Sequence, residues 1–304
     1  MKIADRLRSS EPCFSFEFFP PHTEKGVESL FRTVVELKPL DPGFVSCTYP
    51  GSASPEPDPE VVRRRGLTIE LTRRIREESG IEAMAHITCS GHTRDDLVGI
   101  LDGLKADGAD NVLALRGDPP GLVSGEDRGA FVARDGGFSH GVELVELIRE
   151  RGHDFSIGAA CYPEKHVESP DVDTDIAHQK AKVEAGADFL ISQLFFDNHG
   201  WFEFENRARA AGIDVPIVPG LMPILSRQGV LRMTSLSGAA LPVELREKLD
   251  ACGDDEEAVQ LVGIEWTTRQ ARELLAHGVP GIHFYVLNKS RAARAIVSEL
   301  RGQL

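Results

Sequence analysis

The stretch CFSFEFFPPHTEKGVESLFRTVVELKPL, residues 13–40, changes its hydrophobic period halfway along. Cys13 to Phe18 is a short, aromatic-rich run of the kind that forms a buried strand, and Pro20 and Pro21 stop it. From Gly26 onward the apolar residues recur three and four apart, the spacing of a helix with one buried face. The stretch is one strand-then-helix unit. One residue breaks the pattern, because Glu17 sets a carboxylate inside the apolar run.

The same rhythm continues to the other end of the chain. Strands are expected at 13–18, 43–49 (GFVSCTY), 83–89 (AMAHITC), 111–117 (NVLALRG), 155–161 (FSIGAAC), 188–194 (DFLISQL), 215–220 (VPIVPG) and 281–287 (GIHFYVL). Amphipathic segments such as TRDDLVGILDGLKADG and HGVELVELIRERG lie between them, and several end at glycine with basic residues in the last turn. Eight such repeats fit an α/β TIM (β/α)8 barrel; a doubly wound sheet would carry fewer strands and a glycine-rich nucleotide fingerprint, and no G-x-G-x-x-G or Walker A pattern is present. Residues 221–280 hold extra helices between strands seven and eight, with LPVELREKLDACGDDEEAVQLVG predicting two short ones around an acidic turn. The segment GDPPGLVSGEDRGAFVARDGGFSHG after strand four is expected to be a functional loop. With no linker or low-complexity tail, residues 1–304 are expected to form a single catalytic barrel domain with no regulatory domain.

Composition narrows the function. A formal net charge of −14 opposes a nucleic-acid partner, since phosphate neutralisation needs a basic face. Arg63, Arg64 and Arg65 are the nearest thing to one, and flanking acidic residues make them an expected solvated helix face. No apolar run is long enough to span a membrane and no secretory signal opens the chain, so the expected compartment is the cytoplasm. Five cysteines without a C-x-x-C pair suit reduced, mostly buried thiols. No metal-binding spacing and no nucleophile elbow appear, so no metal is expected.

In a barrel, chemistry belongs at the C-terminal ends of the strands. Those ends carry Glu17, Thr48 and Tyr49, His86 and Thr88, Arg116 and Asp118, Tyr162, Gln193, and then His283, Tyr285 and Lys289. A buried glutamate must be paired, hydrogen-bonded or protonated, so Glu17 is either a salt-bridge partner or a proton donor. Asp118, in RGDPPG, reads equally well as a turn-forming residue.

FSFEFFPP, FVSCTYPG, AHITC, ALRGDPP, AACYPEKHVES, DIAHQKAKVEAGADFLISQLFFD and GIHFYVLNKS, in that order, resemble the bacterial, FAD-dependent methylenetetrahydrofolate reductase family. The resemblance runs from about residue 13 to about residue 290. It implies reduction of 5,10-methylenetetrahydrofolate to 5-methyltetrahydrofolate, with NADH or NADPH reducing bound FAD in ping-pong fashion and the product feeding methionine synthesis. A flavin-free reductase passing hydride directly, and a non-catalytic folate-binding barrel, are the alternatives.

Carried onto this chain, the resemblance makes Glu17 the general acid, with Asp118 and Gln193 beside it at the reacting centre. For FAD it implies Thr48, Tyr49, His86, Arg116, Gly117, Asp118, His140, Gly141, Tyr162, His166, Ser169, Asp175, His178, Ala181 and Lys182. For the folate it implies Asp118, Gln193, Gln228, Tyr285 and Lys289. The loop TYPGSASPEPDPE, with Pro50, Pro55, Pro57 and Pro59, departs from the family pattern. The partner is a small molecule, with no nucleic acid or membrane; assembly is open, a homo-oligomer included.

Overall fold

The structure, a computed structural model, describes residues 1–51, 58–118 and 130–302. Pro55, Pro57 and residues 119–129 of the loop expected after strand four lie outside the described residues.

After a short helix α1 (Ile3–Leu7), strands and helices alternate: β1 (Cys13–Phe18), α2 (Glu24–Leu37), β2 (Phe44–Cys47), α3 (Pro59–Ser79), β3 (Ala83–Thr88), α4 (Arg94–Ala106), β4 (Asn111–Leu115) and α5 (Gly141–Glu150). They continue with β5 (Ser156–Cys161), α6 (Val172–Glu184), β6 (Phe189–Ser192), α7 (Asn198–Ala210), β7 (Ile217–Val218) and β8 (Gly220–Leu221). Three helices follow, α8 (Arg227–Ser237), α9 (Val243–Ala251) and α10 (Glu256–His277), and then β9 (Gly281–Tyr285) and α11 (Arg291–Arg301).

All strand pairs are parallel, in the order β7-β6-β5-β4-β3-β2-β1-β9-β8. The two ends of that order, β7 and β8, are consecutive stretches of chain on either side of Pro219, so the sheet closes on itself. They are the two halves of the expected seventh strand, split at Pro219. The eight-stranded barrel read from the sequence is therefore the observed one.

Strand β1 shows why this sequence makes a barrel wall. Side chains alternate across a strand, so Phe14, Phe16 and Phe18 face outward into the layer shared with Leu30, Val34 and Leu37 of α2. Cys13, Ser15 and Glu17 face the barrel interior. The lower interior is filled by Phe44, Met84, Leu113, Phe189, Ile191 and Val218. Gly158 makes that filling fit: a Cβ there would lie 2.7 Å from the Phe189 ring and 2.8 Å from Leu113.

Helix α1 seals this end, with Ile3, Ala4 and Leu7 buried against Cys13 and Phe44. A helix start leaves amide groups without intrahelical acceptors. Here the barrel supplies them, since Ile3 N donates to Asn111 Oδ1 at 2.7 Å and Ala4 N to Ser156 Oγ at 3.1 Å. Asn111 Nδ2 also donates to the Met1 carbonyl at 2.8 Å.

Two expectations need correction. The interval before β9 holds one helix of 9 residues and one of 22, not two short ones; Asp255 caps the second, accepting from Glu257 N and Ala258 N. The three arginines of α3 are not one solvated face. Arg63 is, but Arg64 donates to the Pro20 carbonyl and Arg65 is buried, donating to the carbonyls of Pro50 (2.9 Å) and Ser90 (2.6 Å). Among the described residues no helix is long and apolar enough to cross a membrane.

Asn111→Ala removes both ties to the N-terminal segment and leaves a buried amide unpaired. The expected cost is about 2 kcal/mol, read as a lower urea midpoint at unchanged m-value.

Candidate active site

Glu17 is the last inward-facing residue of β1, in register with Ser46 on one side and Tyr285 on the other. It is 6% exposed. Two imidazoles converge on one of its oxygens: His86 Nε2 lies 3.4 Å from Oε2, out of line for a hydrogen bond, and His283 Nε2 lies 3.5 Å from the same atom. Among the described residues no lysine or arginine pairs with Glu17, and its ion-pair partners are these two histidines, each charged only when protonated. Burial, offset only in part by the Glu17 charge, pulls His86 down to about 4, which keeps it neutral at pH 7. Tyr285 completes the wall, its hydroxyl donating to the Ser192 carbonyl at 2.5 Å.

A second polar group lies at the ends of β4 and β5 and on α6. Arg116 makes a bidentate pair with Glu168 at 2.6 and 2.7 Å. Gly117, at φ +91°, turns the chain where a Cβ would lie 2.8 Å from that of Ser90 and 3.1 Å from that of Thr88. Tyr162 meets His166 edge to face at 4.7 Å. Lys182 lies 5.6 Å from the Tyr162 ring and donates to the Ala160 carbonyl at 2.8 Å, and burial holds its pKa below the usual lysine range. Burial, with the charges of Asp118 and Asp175, pushes the Tyr162 phenol well up. Asp175 is fixed by Ser169 Oγ at 2.8 Å and Gln179 Nε2 at 2.7 Å.

The other expected residues are distributed around these two groups. Gln193 turns its Oε1 onto the Leu194 amide at 2.9 Å, leaving its amide nitrogen uncommitted among the described residues. Thr48 is half-buried, its carbonyl accepting from Thr68 Oγ1. Tyr49 is buried with its hydroxyl 3.2 Å from His92 Nε2 and Arg65 over its ring, and burial raises its phenol to about 12. Gly141 approaches the backbone at Arg116, where a Cβ would lie 3.2 Å from the amide, whereas His140 is exposed at the start of α5. Asp118, His178, Gln228 and Lys289 are exposed and Ala181 is half-buried. Sequence reading missed the Glu168 partner of Arg116, the His92 partner of Tyr49 and the buried role of Arg65. The tie from Ser15 to His283 was also invisible, because no local pattern marks a contact between residues 268 apart.

Chemically, the first group sets a buried carboxyl against two imidazoles. The second offers cations, an aromatic ring and a seated carboxylate, the donor set for a dinucleotide's pyrophosphate and hydroxyls. The buried Nε2 of His86 and Oγ1 of Thr88 have no hydrogen-bond partner among the described residues, which fits a site that takes a polar ring system. Among the described residues no cluster of three or more His, Cys, Asp and Glu could hold a metal ion.

The family model described as methylenetetrahydrofolate reductase matches residues 2–301. The chain is 38% identical over 314 residues to methylenetetrahydrofolate reductase (NADH) 1 of Arabidopsis thaliana, covering 99% of this chain and 51% of that protein. It is 34% identical to 5,10-methylenetetrahydrofolate reductase of Escherichia coli, covering 94% and 90%, and 34% identical to a probable NADPH form from Caenorhabditis elegans, covering 98% and 44%. The chain thus spans about half the length of the plant and fungal relatives it matches. A solved structure from Clostridium thermocellum, described as binding two copies of 5-methyl-5,6,7,8-tetrahydrofolic acid, shares the fold at a TM-score of 0.67 and 14% identity, each chain covered in full.

The neutral His86 predicts a pH dependence of stability. An unfolded imidazole takes its proton near 6.5 and the folded one only near 4, so the stabilisation is full above 6.5 and is lost as pH falls through that interval. Urea midpoints measured from pH 7.5 to 4 are expected to fall less steeply in His86→Gln than in the wild type.

Proposed function

The chain belongs to the methylenetetrahydrofolate reductase family, and from that premise we propose that it reduces 5,10-methylenetetrahydrofolate to 5-methyltetrahydrofolate with NADH or NADPH as donor. FAD, when bound, supplies the two-electron carrier between nicotinamide and folate. The observation that carries the reading is Glu17, a buried carboxyl at the strand ends facing two imidazoles and, among the described residues, no Lys or Arg.

In this reading Glu17 gives its proton to the bridging folate nitrogen. The ring C–N bond breaks, its electron pair stays on that nitrogen with the new proton, and the carbon becomes an iminium ready for hydride. Asp118 carries negative charge toward the cationic iminium and takes hydrogen bonds from the pterin. Gln193 orients folate and nicotinamide with its uncommitted amide nitrogen, and Gln228, Tyr285 and Lys289 hold the rest of the folate.

Arg116 and Lys182 take the FAD pyrophosphate, with Tyr162, His166, Ser169, Asp175, His178 and Ala181 along the same wall. Thr48, Tyr49, His86, Gly117, His140 and Gly141 complete the proposed cofactor contacts. Donor and folate use the same site in turn, in a single barrel domain acting in the cytoplasm, with the product feeding methionine synthesis.

The visible spectrum of the purified protein tests the cofactor: flavin bands are expected, and a colourless protein that still oxidises NADH with methylenetetrahydrofolate would replace this reading with direct transfer. Glu17→Gln is expected to slow the folate half-reaction by about 10²-fold or more while NADH still reduces the flavin within a few-fold of wild type. Equal loss in both half-reactions would make Glu17 structural. Lys182→Ala is expected to lose FAD on dilution, followed by fluorescence of the released flavin; undiminished retention takes Lys182 out of the cofactor site.

A further inference from the structure

We propose that Ser15 and His283 form a positioning pair that keeps the proton on Glu17; this rests on the reading of Glu17 as the acid. Ser15 lies two residues before Glu17 on the same inward face of β1, and it is in register with His283 of β9. Its Oγ is 2.8 Å from His283 Nδ1, while the opposite ring nitrogen, Nε2, is the atom 3.5 Å from Glu17 Oε2. The imidazole therefore bridges serine and acid end to end.

The bridge is held rigidly. His283 is 0% exposed, stacked on Phe44 with centroids 5.8 Å apart, and met edge-on by Tyr285 at 5.4 Å. With the ring pinned, only the position of its proton is free, and the partner of one nitrogen decides what the other can do. The Ser15 hydroxyl has a second acceptor in reach, the Ile282 carbonyl at 3.5 Å. When Ser15 donates there, its oxygen accepts from Nδ1–H, and Nε2 faces Glu17 as a bare acceptor. A bare nitrogen hydrogen-bonds the neutral acid and not the carboxylate, so this tautomer favours the protonated form of Glu17.

The other titratable groups around Glu17 leave that balance to His283. His86 on β3 is neutral and out of line, Tyr285 on β9 is engaged by Ser192, and the Cys47 thiol on β2 is pushed up by burial. After Glu17 gives its proton to substrate, the carboxylate faces a nitrogen that offers no hydrogen, and the acid is restored by a proton from solvent.

Infrared difference spectra of the holoprotein, wild type minus Glu17→Gln, isolate the carboxylic acid stretch of Glu17 and follow its titration without turnover. Ser15→Ala removes the acceptor for Nδ1–H, and the midpoint of that titration is expected to fall by about one pH unit, with Ser15→Thr restoring it. The pH profile of the folate half-reaction should move by the same amount. An unmoved or raised midpoint overturns the proposal, a raised one meaning that Ser15 donates to His283 instead. If Ser15→Ala does not fold, Ser15→Cys, with its weak sulfur acceptor, is expected to shift the midpoint in the same downward direction. A wild-type protein without folate reduction, but with the infrared shift as expected, would remove the enzymatic reading and leave the pair standing.

Discussion

Pro219 has no N–H to give, yet the ring of parallel strands has to close across it. The chain manages this by splitting one strand into β7 and β8 and pairing each half with a different neighbour. Leu190 N reaches the Pro216 carbonyl and His283 N the Pro219 carbonyl, both at 2.9 Å. The Gly220 amide, left without a strand partner at the break, finds Ser192 Oγ at 2.9 Å. Closure is what makes the interior dry. Were the ring open there, β6 and β9 would become edges and the carboxyl of Glu17 would face water instead of imidazole.

From that dry interior follows a division of charge. Near Glu17 the barrel uses groups that are neutral or can become so, namely imidazole, phenol and hydroxyl. The permanent charges at the strand ends stand off from it: Arg116 is balanced by Glu168, Lys182 lies in a wall that also holds Asp175, and Arg65 is spent on the Pro50 and Ser90 carbonyls. A cation beside Glu17 would hold it as a carboxylate, the opposite of what the proposed proton transfer needs.

The barrel was legible because its signal is local. Alternation in CFSFEF and the change to helical spacing after it are properties of neighbouring residues, and repeated eight times they leave few other architectures. The placement of Glu17 was legible for the same reason. Arg65 shows the limit: three consecutive helical residues sweep about 200° around the axis, so a run of arginines cannot share one face. The sequence displays the run, and only packing against the ends of β2 and β3 decides which member is buried. The Arg116–Glu168 and Tyr49–His92 pairs join elements through loops, where no periodicity records the contact.

Ile3, Ala4 and Leu7 give the barrel a floor. A vessel with a floor can be entered only from the other end, so in the proposed reading a molecule that meets Glu17 leaves by the way it came. Access in that reading is a matter for the strand-end side, while the floor bears on whether the vessel holds together. The two properties are written in different residues, so one can drift without the other.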